Sequence, residues 1–450
     1  MHQLFSWAAR GVLGVALSLN LFAAEGRADN ALDEYLKKPD AHFNWKRTES
    51  KKLEGAEVVH LELLSQVWRE QFWSHDIQIV RPTTVRHSDI CLLFITGSGD
   101  GARYIEMLKT ITDASGAMAA VLADVPNQPL YDGKNEDALI AYTFEQFART
   151  RDKSWPVLFP MVKSAVKAMD AIQQHTEKAH QQKVTKFVVT GASKRGWTTW
   201  LTGATDPRVV AIAPMVFDML NFKAQTDWAQ AMYGRQSEQI ADYTELNLVE
   251  RMNSPELKEL RSWVDPYEYA KSYTMPKLIL IGTNDRYWVV DSLRHYWNDL
   301  PQPKWIFQTP NAGHDLDGGR EAIPTLAAWY QMIADGEQPP SVQWQIKDGP
   351  EGAQMTLIFS QKPEEVRAWT AKSTDRDLRD DKWESAKLPN LAEQMTIDVP
   401  KPEQGYVAYL GEAVFKTKRG HRYKLSTEAR VTPREAPSRP NSSGPSTGSK

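Results

Sequence analysis

Residues 186–200, Lys-Phe-Val-Val-Thr-Gly-Ala-Ser-Lys-Arg-Gly-Trp-Thr-Thr-Trp, constrain the fold more than any other stretch. Phe187, Val188, Val189 and Thr190 form a β-branched and aromatic run that reads as a buried strand, and a helix-compatible segment starts directly after Ser193. A strand that turns into a helix this abruptly leaves the connecting serine on a sharp, strained turn, with its hydroxyl clear of the sheet. The backbone N–H of the next residue, Lys194, points into the same space. Strand and helix backbones nearly touch at such a turn, and Gly191, Ala192 and Gly196 are small enough to permit it. The spacing is G-x-S-x-x-G, one residue longer than the usual G-x-S-x-G elbow.

The flanking chain alternates between strand and helix patterns. Residues 90–95 are continuously apolar, as in a central strand buried on both faces, and Gly97-Ser98-Gly99 follows as a glycine-rich loop. That loop lacks G-x-x-x-x-G-K-[ST], which excludes a nucleotide P-loop. Residues 118–126 read as the next strand. Met161, Val162, Ala165, Val166, Met169 and Ile172 then mark one face of a helix ahead of the serine strand. This alternation predicts a mostly parallel sheet covered by helices on both sides, after an antiparallel lead-in over residues 29–80. Residues 218–265, rich in Asn, Gln, Tyr and Trp, predict a cap insertion between strands within a 29–338 body. Short strand-like segments separated by turn residues predict a second domain over 339–431, an immunoglobulin- or fibronectin-like β-sandwich. Residues 432–450, rich in Pro, Ser and Gly, predict a disordered tail.

At the other end, Arg10, an apolar run over residues 11–24 and Gly26-Arg27-Ala28 predict an export signal over residues 1–28. The run is too short, and too interrupted by Ser18 and Asn20, to make a comfortable membrane span. The chain is therefore expected to be exported, to the periplasm or beyond. A formal net charge of −3 without basic runs points away from nucleic acid. The single cysteine, Cys91, excludes an internal disulfide and reads as a buried structural thiol. Neither H-E-x-x-H nor a Cys/His cluster is present, so neither a metal nor a cofactor is expected.

A serine hydroxyl attacks a carbonyl only when a base takes its proton and a third group orients that base. Downstream of Ser193, a strand over residues 278–281 runs into Gly282-Thr283-Asn284-Asp285. The next strand, residues 304–308, leads to Asn311-Ala312-Gly313-His314. The order Ser, Asp, His, each past the end of a strand, predicts Ser193 as nucleophile, Asp285 as orienting acid and His314 as base. Asp291 and Asp315 are weaker rivals for the acid, and His295 for the base. The oxyanion would be met by the N–H of Lys194 and an N–H of the Ser98-Gly99 loop. Arg195, Trp197, Trp228, Tyr233 and Trp288 are candidate substrate-binding residues. A peptide or an ester is the expected substrate.

Four stretches carry a resemblance. They are Asp124-Val125-Pro126-Asn127-Gln128-Pro129-Leu130, residues 136–143 beginning Glu136-Asp137, Gly191-Ala192-Ser193-Lys194-Arg195-Gly196-Trp197, and Gly282-Thr283-Asn284-Asp285. In these the chain resembles the PhoPQ-activated pathogenicity-related protein family, over residues 30–425. The resemblance implies an α/β-hydrolase fold, bacterial export and a link to envelope stress or virulence in some members. The Ser-Lys-Arg-Gly turn is also similar to the Ser-Arg-x-Gly turn of glucuronoyl esterases, which makes a carbohydrate ester an alternative substrate. A binding or signalling protein on the same scaffold is the alternative from outside enzymology.

Overall fold

The computed structural model describes residues 29–437, so the expected export signal lies outside it, as does the expected tail from residue 438 onward. The described chain opens with helix α1 (Ala31–Lys37), whose first N–H groups are received by the Asn30 side chain. Strands β1 (Asn44–Leu53), β2 (Ala56–Trp68) and β3 (Gln71–Pro82) follow as an antiparallel meander. Arg69 and Glu70, with φ of 49° and 65°, make the two-residue turn between β2 and β3. The sequence pattern does not mark β1, because it is a polar, solvent-exposed edge strand with no apolar face to read.

Next come β4 (His87–Ile95), α2 (Ile105–Ser115), β5 (Ala117–Leu122), α3 (Glu136–Thr150), α4 (Leu158–His180), β6 (Lys186–Ala192), α5 (Lys194–Thr205) and β7 (Val209–Met215). Helices α6 (Phe222–Tyr233), α7 (Ala241–Thr244) and α8 (Pro255–Val264) occupy the insertion. Strands β8 (Lys277–Gly282) and β9 (Lys304–Thr309) and helix α9 (Ala322–Ala334) then complete the body. The nine strands form one sheet in the order β1-β2-β3-β5-β4-β6-β7-β8-β9, parallel from β5 to β9. Alternate residues of β4 serve opposite cores. Cys91, Leu93 and Ile95 pack toward α4 and α5, whereas Ile90, Leu92 and Phe94 pack toward α2 and α9. A parallel sheet covered on both faces, with a serine turn leaving its central strand, is the α/β-hydrolase fold. Cys91 is fully buried, and burial pushes its thiol up, out of the reactive range.

The C-terminal part holds two separate antiparallel sheets. Its strands are β10 (Val342–Gly349), β11 (Gly352–Phe359), β12 (Glu365–Ser373), β13 (Glu384–Lys387), β14 (Gln394–Pro400), β15 (Tyr406–Lys416), β16 (Arg422–Ser426) and β17 (Arg430–Thr432). One sheet runs β10-β11-β14, and the other runs β13-β12-β15-β16 with β17 also on β15. Residues 423–431 are not one continuous strand but are broken between β16 and β17. The break occurs because they bond to β9 instead: Gln308 N–H donates to Ser426 Oγ (2.8 Å) and Ala429 N–H to Gln308 Oε1 (2.8 Å). The expected tail also begins too early. Thr432 still pairs with Val407, and Arg434 donates to Asp348 Oδ2 at 2.9 Å. Met355, Leu357 and Phe415 share one buried core with Trp329 and Tyr330 of α9, so the C-terminal sheets are welded to the body. Among the described residues, no helix is long and apolar enough to cross a membrane.

Candidate active site

Ser193 sits between β6 and α5 with φ 58° and ψ −123°. A side-chain-bearing residue held there stores about 1–3 kcal/mol of strain, which surrounding contacts must offset. Its own N–H donates to Met215 O of β7 (2.9 Å), and its carbonyl accepts the first helical bond from Trp197 N–H (3.0 Å). The shifted glycine explains itself here. A Cβ at Gly196 would lie 2.7 Å from Met215 O, and one at Gly191 would lie 2.8 Å from Arg195 O. The helix thus meets the end of β7 at the third residue after the serine rather than the second, and the turn is still sharp.

Asp285 and His314 follow β8 and β9, which are adjacent in the sheet. His314 Nδ1 lies 2.7 Å from Asp285 Oδ2. A carboxylate only accepts, so Nδ1 carries the proton and Nε2 is the basic nitrogen. His314 Nε2 is buried and makes no hydrogen bond within the described residues, including none to Ser193. Asp285 is 2% exposed and receives two further donors, Trp288 Nε1 at 3.0 Å and Tyr287 N–H at 3.0 Å. The Tyr287 ring stacks on the imidazole with centroids 4.3 Å apart. The two loops are stitched together by Asn284 N–H to Ala312 O (2.9 Å), Thr283 N–H to Thr309 O (3.0 Å) and Asn311 N–H to Thr283 Oγ1 (2.9 Å).

A C-terminal loop closes over them. The Asn284 side-chain amide donates to the carbonyls of Asp381 (2.8 Å), Arg379 (3.2 Å) and Leu378 (3.3 Å). Asn311 and Trp383 exchange a reciprocal pair of bonds at 2.9 and 2.8 Å. Arg376, fully buried, donates to Asp291 Oδ2 at 3.0 Å. Asp291, the rival acid, is held low by Arg376 and Arg294 despite its burial, and it serves this junction. The loop between β12 and β13 therefore braces both strand-end loops, a role that no local sequence pattern announces.

The two cations after Ser193 are already neutralised. Lys194 Nζ lies 2.8 Å from Asp137 Oδ2 and 3.4 Å from Glu136 Oε2. Arg195 is 7% exposed, makes a two-pronged contact with Glu136 (2.6 and 2.7 Å) and donates to Val125 O at 2.5 Å. Burial alone would raise Glu136, but Arg195 and Lys194 hold it down to about 2. Asp137 also accepts from Tyr243 (2.9 Å) and Tyr287 (3.3 Å). Arg195 thus braces the loop after β5 and does not reach the cavity beside Ser193. A charge-complementary Glu-Asp pair opening α3 and a Lys-Arg pair opening α5 were the signal for this contact.

That cavity, of about 140 Å³, lies under α6 and α8, with Ser193, Lys194 and Asp137 in its wall. Of the expected substrate-binding residues, Trp197 and Trp288 line it. Trp228 instead donates to Asp291 Oδ1 (2.9 Å) between Arg294 and Arg376, and Tyr233 lies under Arg379. Both therefore belong to the cap–loop junction. Near the serine, Gly99 N–H donates to Asp124 Oδ1 (3.2 Å) and is already engaged, whereas Lys194 N–H opens α5, where first-turn donors lack helical partners. Ser98 Oγ accepts from Gln128 Nε2 at 3.3 Å. Among the described residues no cluster of side chains could hold a metal ion.

Several known proteins resemble this chain. Autocrine proliferation repressor protein A of Dictyostelium discoideum is 29% identical, with 90% of this chain and 91% of that protein covered. In fold, the chain is similar to acetyl xylan esterase 1 from Thermoanaerobacterium sp. JW/SL YS485, with 15% identity, a TM-score of 0.48 and coverage of 68% of this chain and 92% of that one. It is also similar to a glucuronoyl esterase from Solibacter usitatus, with 13% identity, a TM-score of 0.41 and coverage of 69% and 91%. The stretches 124–130 and 136–143 brace the serine turn in 191–197, the stretch 282–285 carries Asp285 beside His314, and the family model covers residues 32–379. The chain belongs to the PhoPQ-activated pathogenicity-related protein family.

Proposed function

We propose that the protein is a serine hydrolase that cleaves an ester or peptide bond through an acyl-enzyme, with Ser193 as nucleophile, His314 as base and Asp285 as its orienting acid. The observation that carries the reading is the left-handed φ of Ser193 on the turn between a central parallel strand and a helix. On this strand-to-helix turn the conformation holds the Ser193 hydroxyl clear of the sheet, as a nucleophile requires. His314 Nε2 takes the Ser193 proton as Oγ attacks the carbonyl, and Asp285 keeps the imidazole proton on Nδ1 and offsets the charge of the imidazolium. The Ser193–His314 hydrogen bond forms in the substrate complex, as catalytic hydrogen bonds often tighten only there. Lys194 N–H and Ser98 N–H meet the oxyanion. The leaving group then takes the proton from His314, and water repeats the sequence to release the acid.

The neutralised state of Lys194 and Arg195 weighs against a uronate carboxylate as the group recognised beside the serine. Labelling with a fluorophosphonate tests the reading. The wild type should be labelled, Ser193→Ala should not, and His314→Ala should be labelled at least a hundredfold more slowly. A folded wild type that resists labelling would overturn it.

A further inference from the structure

We propose that the cavity beside Ser193 is an acyl pocket and that the substrate's acyl part is apolar and uncharged; this rests on the serine-hydrolase reading above. Trp197 of α5, Phe217 and Phe222 at the start of the cap, and Leu257, Leu260 and Val264 of α8 form much of its wall. Water gains little in such a space, whereas an apolar group gains the full transfer free energy. A cavity of about 140 Å³ matches the size of apolar cavities known to take up a benzene-sized molecule. Acetyl would leave most of it empty.

The charged groups of the wall beside the serine are already paired with one another. Lys194 is spent on Asp137 and Glu136, and Asp137 is itself occupied by Lys194, Tyr243 and Tyr287. Arg261 of α8 is the other cation on the wall; its Nη1 is buried without a hydrogen-bond partner among the described residues, so it is the wall group that would favour an anion. A chain ending in a carboxylate is therefore the comparison that tests the word uncharged. The side of the scissile bond follows from proton transfer. The leaving heteroatom must collect its proton from His314 Nε2 and so departs over the imidazole. His314 is not part of the cavity wall; Tyr287, which stacks on the imidazole, lines it instead. The cavity thus receives the part that remains on Ser193.

The experiment measures kcat/KM for p-nitrophenyl esters from acetate to hexanoate on the full chain, beside fluorophosphonate labelling of the same sample. The expected result is a rise of about fourfold per methylene, more than a hundredfold over the series. Leu260→Trp, which fills the pocket, should collapse the hexanoate-to-acetate ratio. The wild-type profile stands as a test if that variant does not fold. An Nα-acetyl-phenylalanyl ester forms a second arm. A rate above hexanoate marks an aminoacyl source, and one below marks an alkanoyl source, both within the apolar class. Two results overturn the inference while labelling keeps the serine reading intact: a flat profile, or a preference for an acyl chain ending in a carboxylate. Absence of labelling removes both.

Discussion

Gly282→Ala should disable the site without touching any residue that performs chemistry. Gly282 ends β8, three residues before Asp285, where the acid loop crosses the histidine loop. A Cβ there would stand 2.3 Å from Ala312 O and 2.6 Å from Gly313 O. Ordinary carbon–oxygen contacts begin near about 3.3 Å, so the two backbones must separate by about 1 Å. Both obstacles are main chain, one and two residues before His314, and no side chain can swing aside to absorb the shift. Overpacking of this kind costs about 1–3 kcal/mol of stability, and a displacement of about 1 Å at a reacting group costs about a hundredfold in rate. Gly313→Ala is the matched control, because its Cβ would meet nothing nearer than Asn284 O at 3.8 Å. The assay is kcat/KM on the best ester of the acyl series and the labelling rate, with thermal melts to verify folding. Loss of about a hundredfold in G282A beside near-wild-type G313A is expected. A G282A rate within threefold of wild type, or equal damage in both variants, would refute the reasoning.

Asn284→Ala removes the donor to three carbonyls of the β12–β13 loop and should cost about 1–3 kcal/mol. Its kcat should fall about tenfold with little change in KM, and an unaltered kcat would show that the C-terminal brace does not position Asp285. Truncation after residue 338 exposes the α9 surface now covered by Met355, Leu357 and Phe415, so the shortened chain should be insoluble; a soluble, cooperatively melting product would contradict the shared core. Glu136 is lowered to about 2 from 4.5, so its support for the folded state is present above about pH 4.5 and is lost as pH falls through about 2. Glu136→Gln should therefore lower the melting temperature at pH 6 and flatten its decline toward pH 2, and parallel pH curves for the two proteins would contradict this.

Some of these features were legible because they are local. The alternation of β4 residues between two cores, the small residues around Ser193 and the loop positions of Asp285 and His314 all follow from steric and burial rules acting within a few residues. The edge strand β1 was illegible for the converse reason, since a strand that buries nothing leaves no hydrophobic period. Glycine spacing was legible but ambiguous. Only the approach of Gly196 to Met215 O shows why the extra residue leaves the turn sharp.

Amino-acid order by itself determined the sheet-and-helix alternation, the place of the serine turn and the isolation of Cys91, because backbone sterics and side-chain burial set each within one element. Tertiary structure alone decided what the charged and aromatic residues do. Lys194 and Arg195 face acids 57 to 59 positions away, Asn284 meets a loop almost a hundred positions further on, and Trp228 leaves the cavity for Asp291. Such partners are chosen by the packing of whole elements, and a polar side chain answers to whichever partner that packing brings within about 3 Å.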